Sequence, residues 1–118
     1  RFGFVTAKAM GGMDIGQTVV VKHKAVMAVE AIEGTDACIR RGGALGREKS
    51  VVVKVAKPNQ DPRFDVPAVG RQTILSMIES NCNVLAMEAG RTLFVEQDEV
   101  LRLADSHGIV ICAVDKNF

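Results

Sequence analysis

Ser50-Val51-Val52-Val53-Lys54-Val55-Ala56-Lys57-Pro58-Asn59-Gln60-Asp61-Pro62-Arg63-Phe64-Asp65-Val66-Pro67 is the stretch that decides the architecture. Its first part, 50–56, is a Val-rich run of the kind that forms a strand buried on both faces of a sheet. Its second part is a polar loop that holds all 3 prolines of the chain, so Lys57, Gln60, Asp61, Arg63 and Asp65 sit on a backbone of restricted freedom. A stiff loop leaving a buried strand is a place to hold charges for chemistry.

Outward from that strand, 18–22 and 25–31 are two further β-rich runs separated by Lys22-His23-Lys24, and 109–114 is a last buried strand. Apolar residues fall at helical spacing over 70–80, and 97–106 has Asp98 and Arg102 four apart with Gly108 as a stop. Thr35 or Asp36 is expected to cap a helix closing at Gly42-Gly43, and 1–13 a short helix or adaptor ended by Gly11-Gly12. The runs 84–87 and 92–95 around Glu88-Ala89-Gly90-Arg91 suggest a hairpin. Alternating strands and helices interrupted by hairpins predict an α/β chain of mixed α+β character: one domain, a mixed sheet and about three flanking helices.

Composition narrows the function classes. At 118 residues and 47% hydrophobic, the chain is long enough for one core. It has no Trp or Tyr and a net charge of +1, so neither a base-stacking platform nor a general nucleic-acid surface is expected. Cys38, Cys82 and Cys112 are far apart and unaccompanied by ligand-spaced histidines, which reads as buried thiols in a reducing compartment. No run approaches a membrane span and no signal peptide is present, so a cytoplasmic location is expected; the start at Arg1 suggests a preceding segment.

The candidate site residues cluster in two places. Asp61 and Asp65 are a carboxylate pair suited to placing a cation or a water, against the plainer reading of a turn cap and a surface partner for Arg63. Lys54, Lys57, Gln60 and Arg63 are donors for phosphate; Lys54 is the sharper case, since a lysine in a buried strand must emerge into a site or find a carboxylate. Thr35 and Asp36 follow Glu33-Gly34 at a strand-to-helix junction that offers N–H groups to an anion, with Arg40 and Arg41 a turn further on. The glycine run 42–49 lacks the spacing of a P-loop, no serine sits in a nucleophile elbow, and His107 reads as a helix-end residue.

The wording of Gly16-Gln17-Thr18-Val19-Val20-Val21, Ala28-Val29-Glu30-Ala31-Ile32-Glu33-Gly34-Thr35-Asp36, the run 53–70, Met87-Glu88-Ala89-Gly90-Arg91-Thr92-Leu93 and Ala104-Asp105-Ser106-His107-Gly108-Ile109 resembles one family. It is similar to the carboxy-terminal domain of UDP-2,3-diacylglucosamine pyrophosphatases of the LpxI type. The resemblance implies an adaptor at 1–15, a catalytic domain at 16–118, and an amino-terminal domain ahead of it. It implies hydrolysis of UDP-2,3-diacylglucosamine to UMP and 2,3-diacylglucosamine 1-phosphate in lipid A synthesis, with Mg²⁺, a homodimer and peripheral contact with the inner membrane. Asp61 or Asp65 would place metal or water, Lys54, Lys57 and Arg63 would neutralise phosphate, and Gln17, Thr35 and Asp36 would line the chamber. An aliphatic cleft is expected for the acyl chains, and this domain alone should turn over little or nothing. Against this stand a nucleotide-sugar or sugar-phosphate binding module without catalysis, and a dimerising structural domain.

Overall fold

The computed structural model describes residues 1–58 and 67–115. Its elements run α1 (Phe2–Gly12), β1 (Thr18–Lys22), β2 (Ala25–Val29), α2 (Thr35–Gly46), β3 (Ser50–Lys54), β4 (Ala68–Val69), α3 (Arg71–Glu79), β5 (Cys82–Glu88), β6 (Leu93–Phe94), α4 (Gln97–Ser106) and β7 (Val110–Val114). The expected mixed sheet is present, with order β2-β1-β3-β5-β7, and four helices rather than about three.

Handedness explains the layering. β1 is antiparallel to both β2 and β3, while β3, β5 and β7 are parallel, so α2, α3 and α4 each cross between parallel strands and step in one direction across the sheet. Right-handed crossovers that step the same way put their helices on the same face. Val20, Val52 and Leu85 accordingly pack with Cys38, Ile39, Ile74, Met77, Val100 and Ala104. The alternate positions Val19, Val21, Val53 and Ala86 face the other way and pack with Phe4 and Ala7 of α1. The consecutive valines of β1 and β3 are therefore required twice over, once for each face.

Several local expectations change. β7, expected as a buried strand, is largely exposed, and so is its Cys112, expected as a buried thiol. Residues 84–87 and 92–95 do not form a hairpin: β5 has β3 and β7 on its two edges, so no edge is open, and β6 pairs in parallel with β4. Gly42-Gly43 does not end α2, which runs on to Gly46. A Cβ at Gly42 would collide with Val20 and one at Gly43 with Ser80, so these glycines serve close packing inside the helix. Thr35 and Asp36 are not the cap of α2. Gly34, at φ 93, holds that position with no side-chain cap hydrogen bond.

The topology gathers polar groups at one end of the sheet. The carboxyl ends of β2, β3, β5 and β7 lie beside the amino end of β1, as the pairing of Thr18 with Lys54 shows. In open α/β sheets ligands bind outside this end. The β4–β6 pair joins the segment after β3 to the segment after β5, with Leu93 N–H donating to Pro67 O and Val95 N–H to Val69 O.

Candidate functional site

Lys54 ends β3 and is only 7% exposed. Its Nζ donates to Ala68 O at 2.8 Å, and it has no carboxylate within ion-pair distance among the described residues. The carboxylate expected as one possible partner for this buried lysine is not the one it meets; its acceptor is a backbone carbonyl. Burial lowers its pKa from the ordinary 10.5, and the charges of Glu30 and Asp36 nearby raise it in opposition. A cation kept this dry with one neutral acceptor has unused donor capacity, since an ammonium carries three donors.

A hydrogen-bonded cluster of two hydroxyls and a carboxylate lies beside it, starting from Thr18, its strand partner. Thr18 Oγ1 and Thr35 Oγ1 lie 3.2 Å apart, and Thr35 Oγ1 donates to Glu30 Oε1 at 3.4 Å. Glu30, 9% exposed and one residue past β2, also accepts from the backbone N–H of Gln17 at 3.3 Å. Gly16 permits this approach: a Cβ there would run into the Glu30 carbonyl. Asp36 turns aside and accepts from Ser76 Oγ at 3.1 Å, while Arg40 Nη1 reaches the same hydroxyl at 3.4 Å.

The fold thus brings together Gln17, Thr35, Asp36 and Lys54. Arg40 joins them through Ser76 of α3, whereas Arg41 pairs with Glu33 at 2.7 Å on the surface. Lys57 lies on the α1 side, 3.0 Å from Asp14. Gln60, Asp61, Arg63 and Asp65 lie outside the described residues. Sequence reasoning passed over Thr18, Glu30, Ser76 and Glu88, although Glu30 and Glu88 each stand at the end of an apolar run, where a carboxylate meets the carboxyl edge of a sheet.

The chemistry of this set is mixed-sign. Lys54 and the uncapped amino end of α2 favour phosphate, and Glu30 and Asp36 suit hydroxyl donors of a ribose or hexose. Among the described residues no group of three or more His, Cys, Asp or Glu is placed to hold a metal ion. The Cys38 and Cys82 thiols are buried and their pKa values are pushed up to about 12 and about 11, so neither is a nucleophile at neutral pH. An apolar groove of about 340 Å³, lined by Phe2, Phe4, Val51, Val53, Val84 and Ala86, lies on the α1 face, and the β1–β2 turn forms part of its rim. No helix among the described residues is long and apolar enough to cross a membrane.

The model of the LpxI C-terminal domain matches residues 1–112. A relative from Caulobacter vibrioides (strain ATCC 19089 / CIP 103742 / CB 15), named UDP-2,3-diacylglucosamine pyrophosphatase LpxI, is 38% identical over 117 residues, covering 92% of this chain. The chain spans only 42% of that relative's length. With nearly the whole chain matched, this protein belongs to the LpxI family and corresponds to its C-terminal domain.

Proposed function

We propose that this chain is the part of a UDP-2,3-diacylglucosamine pyrophosphatase that grips the diphosphate and supports its hydrolysis to UMP and 2,3-diacylglucosamine 1-phosphate, the class of reaction that feeds lipid A synthesis. The observation that carries this reading is Lys54: a lysine 7% exposed, with one carbonyl partner, at the sheet end where phosphate ligands bind. Lys57 and Arg63 add charge for the leaving phosphate, and Gln17, Thr35 and Asp36 line the nucleotide-sugar side. The described residues do not build a cation site by themselves, so the carboxylates assigned to Mg²⁺ or to the attacking water are Asp61 and Asp65. A bound Mg²⁺ would neutralise charge on the phosphates. The shortfall of this chain against its relative's length supports a second domain completing the chamber, so the domain alone should bind weakly. A homodimer and peripheral contact with a membrane remain part of the same proposal.

The test is hydrolysis of UDP-2,3-diacylglucosamine by the parent-length protein with Mg²⁺, comparing wild type with Asp61→Ala and Asp65→Ala. A loss on the order of 10²-fold in turnover with binding retained places that carboxylate in the chemical step. Near-normal rates in both would make the loop a structural turn. Loss of affinity with unchanged turnover would favour a binding module.

A further inference from the structure

The backbone just before Lys57 is not left to itself: Ala56 is held at both its polar groups by side chains. Its N–H donates to Glu88 Oε1 at 2.9 Å and its carbonyl accepts from Lys8 Nζ at 3.1 Å. Lys8 also donates to both Glu88 oxygens, at 3.2 and 3.1 Å, which closes the ring. Val55 N–H is taken up by Gln17 O at 2.9 Å. A Cβ on Gly11 of α1 would lie 3.7 Å from Lys57 Cα, so the helix passes close against the same backbone.

This is an unusual way to continue a strand. β3 and β5 pair up to Lys54 and Met87, and a further ladder bond to Ala56 would ordinarily come from the backbone of β5. β5 instead turns away, with Arg91 N–H donating to Glu88 O, and the Glu88 carboxylate takes the place of the missing carbonyl. A carboxylate buried to 11% exposure is a stronger acceptor than a carbonyl, and Lys8 of α1, 3.1 Å away, holds it in place. The result is a fixed exit for the chain two residues beyond the last ladder pair.

We propose that Lys8 and Glu88 are positioning residues: together they lock the peptide groups of Ala56 and so set where Lys57 projects relative to Lys54. Neither touches substrate. The idea rests on the functional reading above, which assigns Lys57 to the phosphates and so requires its ammonium to exchange Asp14, 3.0 Å away on the α1 side, for the substrate. Setting two cations at a fixed separation matters most when charge develops on the phosphate oxygens, so the effect falls on turnover before affinity.

The experiment uses the parent-length protein with UDP-2,3-diacylglucosamine and Mg²⁺, measuring kcat and KM for wild type, Glu88→Ala, Glu88→Gln and Lys8→Met. Glu88→Ala is expected to lower kcat by about tenfold or more with a smaller change in KM, as misplacement of a group without its loss does. Glu88→Gln, whose amide oxygen still accepts from Ala56, should recover to within about threefold of wild type, and Lys8→Met should fall between. Wild-type kcat in soluble, folded Glu88→Ala would overturn the proposal and leave only a structural pair. If Glu88→Ala does not fold, the Lys8→Met and Glu88→Gln ranking decides in the same way. If wild type itself does not hydrolyse the substrate, the functional reading falls, and amide hydrogen exchange judges the lock. Exchange at Ala56 at least about tenfold faster in Lys8→Met than in wild type supports it, and equal exchange overturns it.

Discussion

Two lysines stand at the same end of one sheet and are treated in opposite ways. On the β1–β3 side, Lys54 is 7% exposed and has a single carbonyl acceptor among the described residues, with Glu30 and Asp36 near enough to act on its charge but not to pair with it. On the β3–β5 side, Lys8 is more exposed yet meets a carboxylate with both oxygens and a carbonyl besides. The second arrangement is saturated, and so it holds the chain. The first leaves donors unused in a dry setting, where an incoming anion gains most. Distance from solvent and unused donors, taken together, are what the proposed role of Lys54 rests on, and what Lys8 lacks.

The sharpest way to break that contrast is to remove each charge and compare what is lost. Lys54→Met in the parent-length protein is expected to cost about 10²-fold in kcat/KM for UDP-2,3-diacylglucosamine, equivalent to about 2.7 kcal/mol. Its stability should move by no more than about 1 kcal/mol, because relief of a buried cation offsets the orphaned Ala68 carbonyl. Glu88→Ala should behave in the reverse sense, losing roughly 1–3 kcal/mol of stability as Lys8 and the Ala56 N–H lose their acceptor. Urea unfolding with kinetics on the same samples reads both. If Lys54→Met unfolds as easily as Glu88→Ala and still turns over, the two lysines are alike and the contrast fails.

A smaller effect is expected where backbone, rather than charge, sets the Lys54 side. Gly16→Ala places a methyl against the Glu30 carbonyl, so the 16–18 segment and Glu30 must part. A loss of about 2 kcal/mol in urea unfolding is expected, the size usual for overpacking a closed contact. The neighbouring Gly12 has open space for a Cβ, so Gly12→Ala is the matched control and should be neutral or better. Equal losses in the two variants would show that Glu30 is not held by this contact.

The fold was legible where one signal sufficed. Valine runs at 19–21 and 51–53 with helical spacing between 70 and 80 are enough for a mixed sheet with crossover helices, and β1, β3 and α3 stand close to where the residues put them. The hairpin expectation failed because strand pairing is decided by which edges remain open, which no local pattern carries. Gly42-Gly43 misled for a related reason: a glycine stop and a glycine contact look alike until Val20 and Ser80 are seen against them. At the site, Lys54 was legible as a charge in an apolar run. Thr18 and Glu30 were not, since a threonine beginning a strand and a glutamate after one acquire meaning only when β1 and β2 set them beside Lys54. Glu88 was hidden in the same way, its partners lying 32 and 80 residues away.

The least expected effect, and the finest test of the contrast, is in the pH dependence of stability. Burial sets the Lys54 pKa below 10.5, with Glu30 and Asp36 opposing, so the folded protein releases this proton at a pH where the unfolded chain still holds it. Between the lowered value and 10.5 the unfolded state binds more protons, and stability contributed by this group rises with pH. The buried thiols act oppositely. With Cys38 raised to about 12 and Cys82 to about 11 from 9.0, the folded state keeps protons that the unfolded chain gives up, and stability falls as pH climbs above 9.0. Wild type and Lys54→Met share both thiols, so subtracting their unfolding free energies across this range isolates the lysine. The difference should shift in favour of wild type as pH approaches 10.5, while affinity for UMP, which needs the proton in place, weakens over the same interval. A difference that moved the other way would mean that the carboxylates outweigh burial and that Lys54, like Lys8, is already paired.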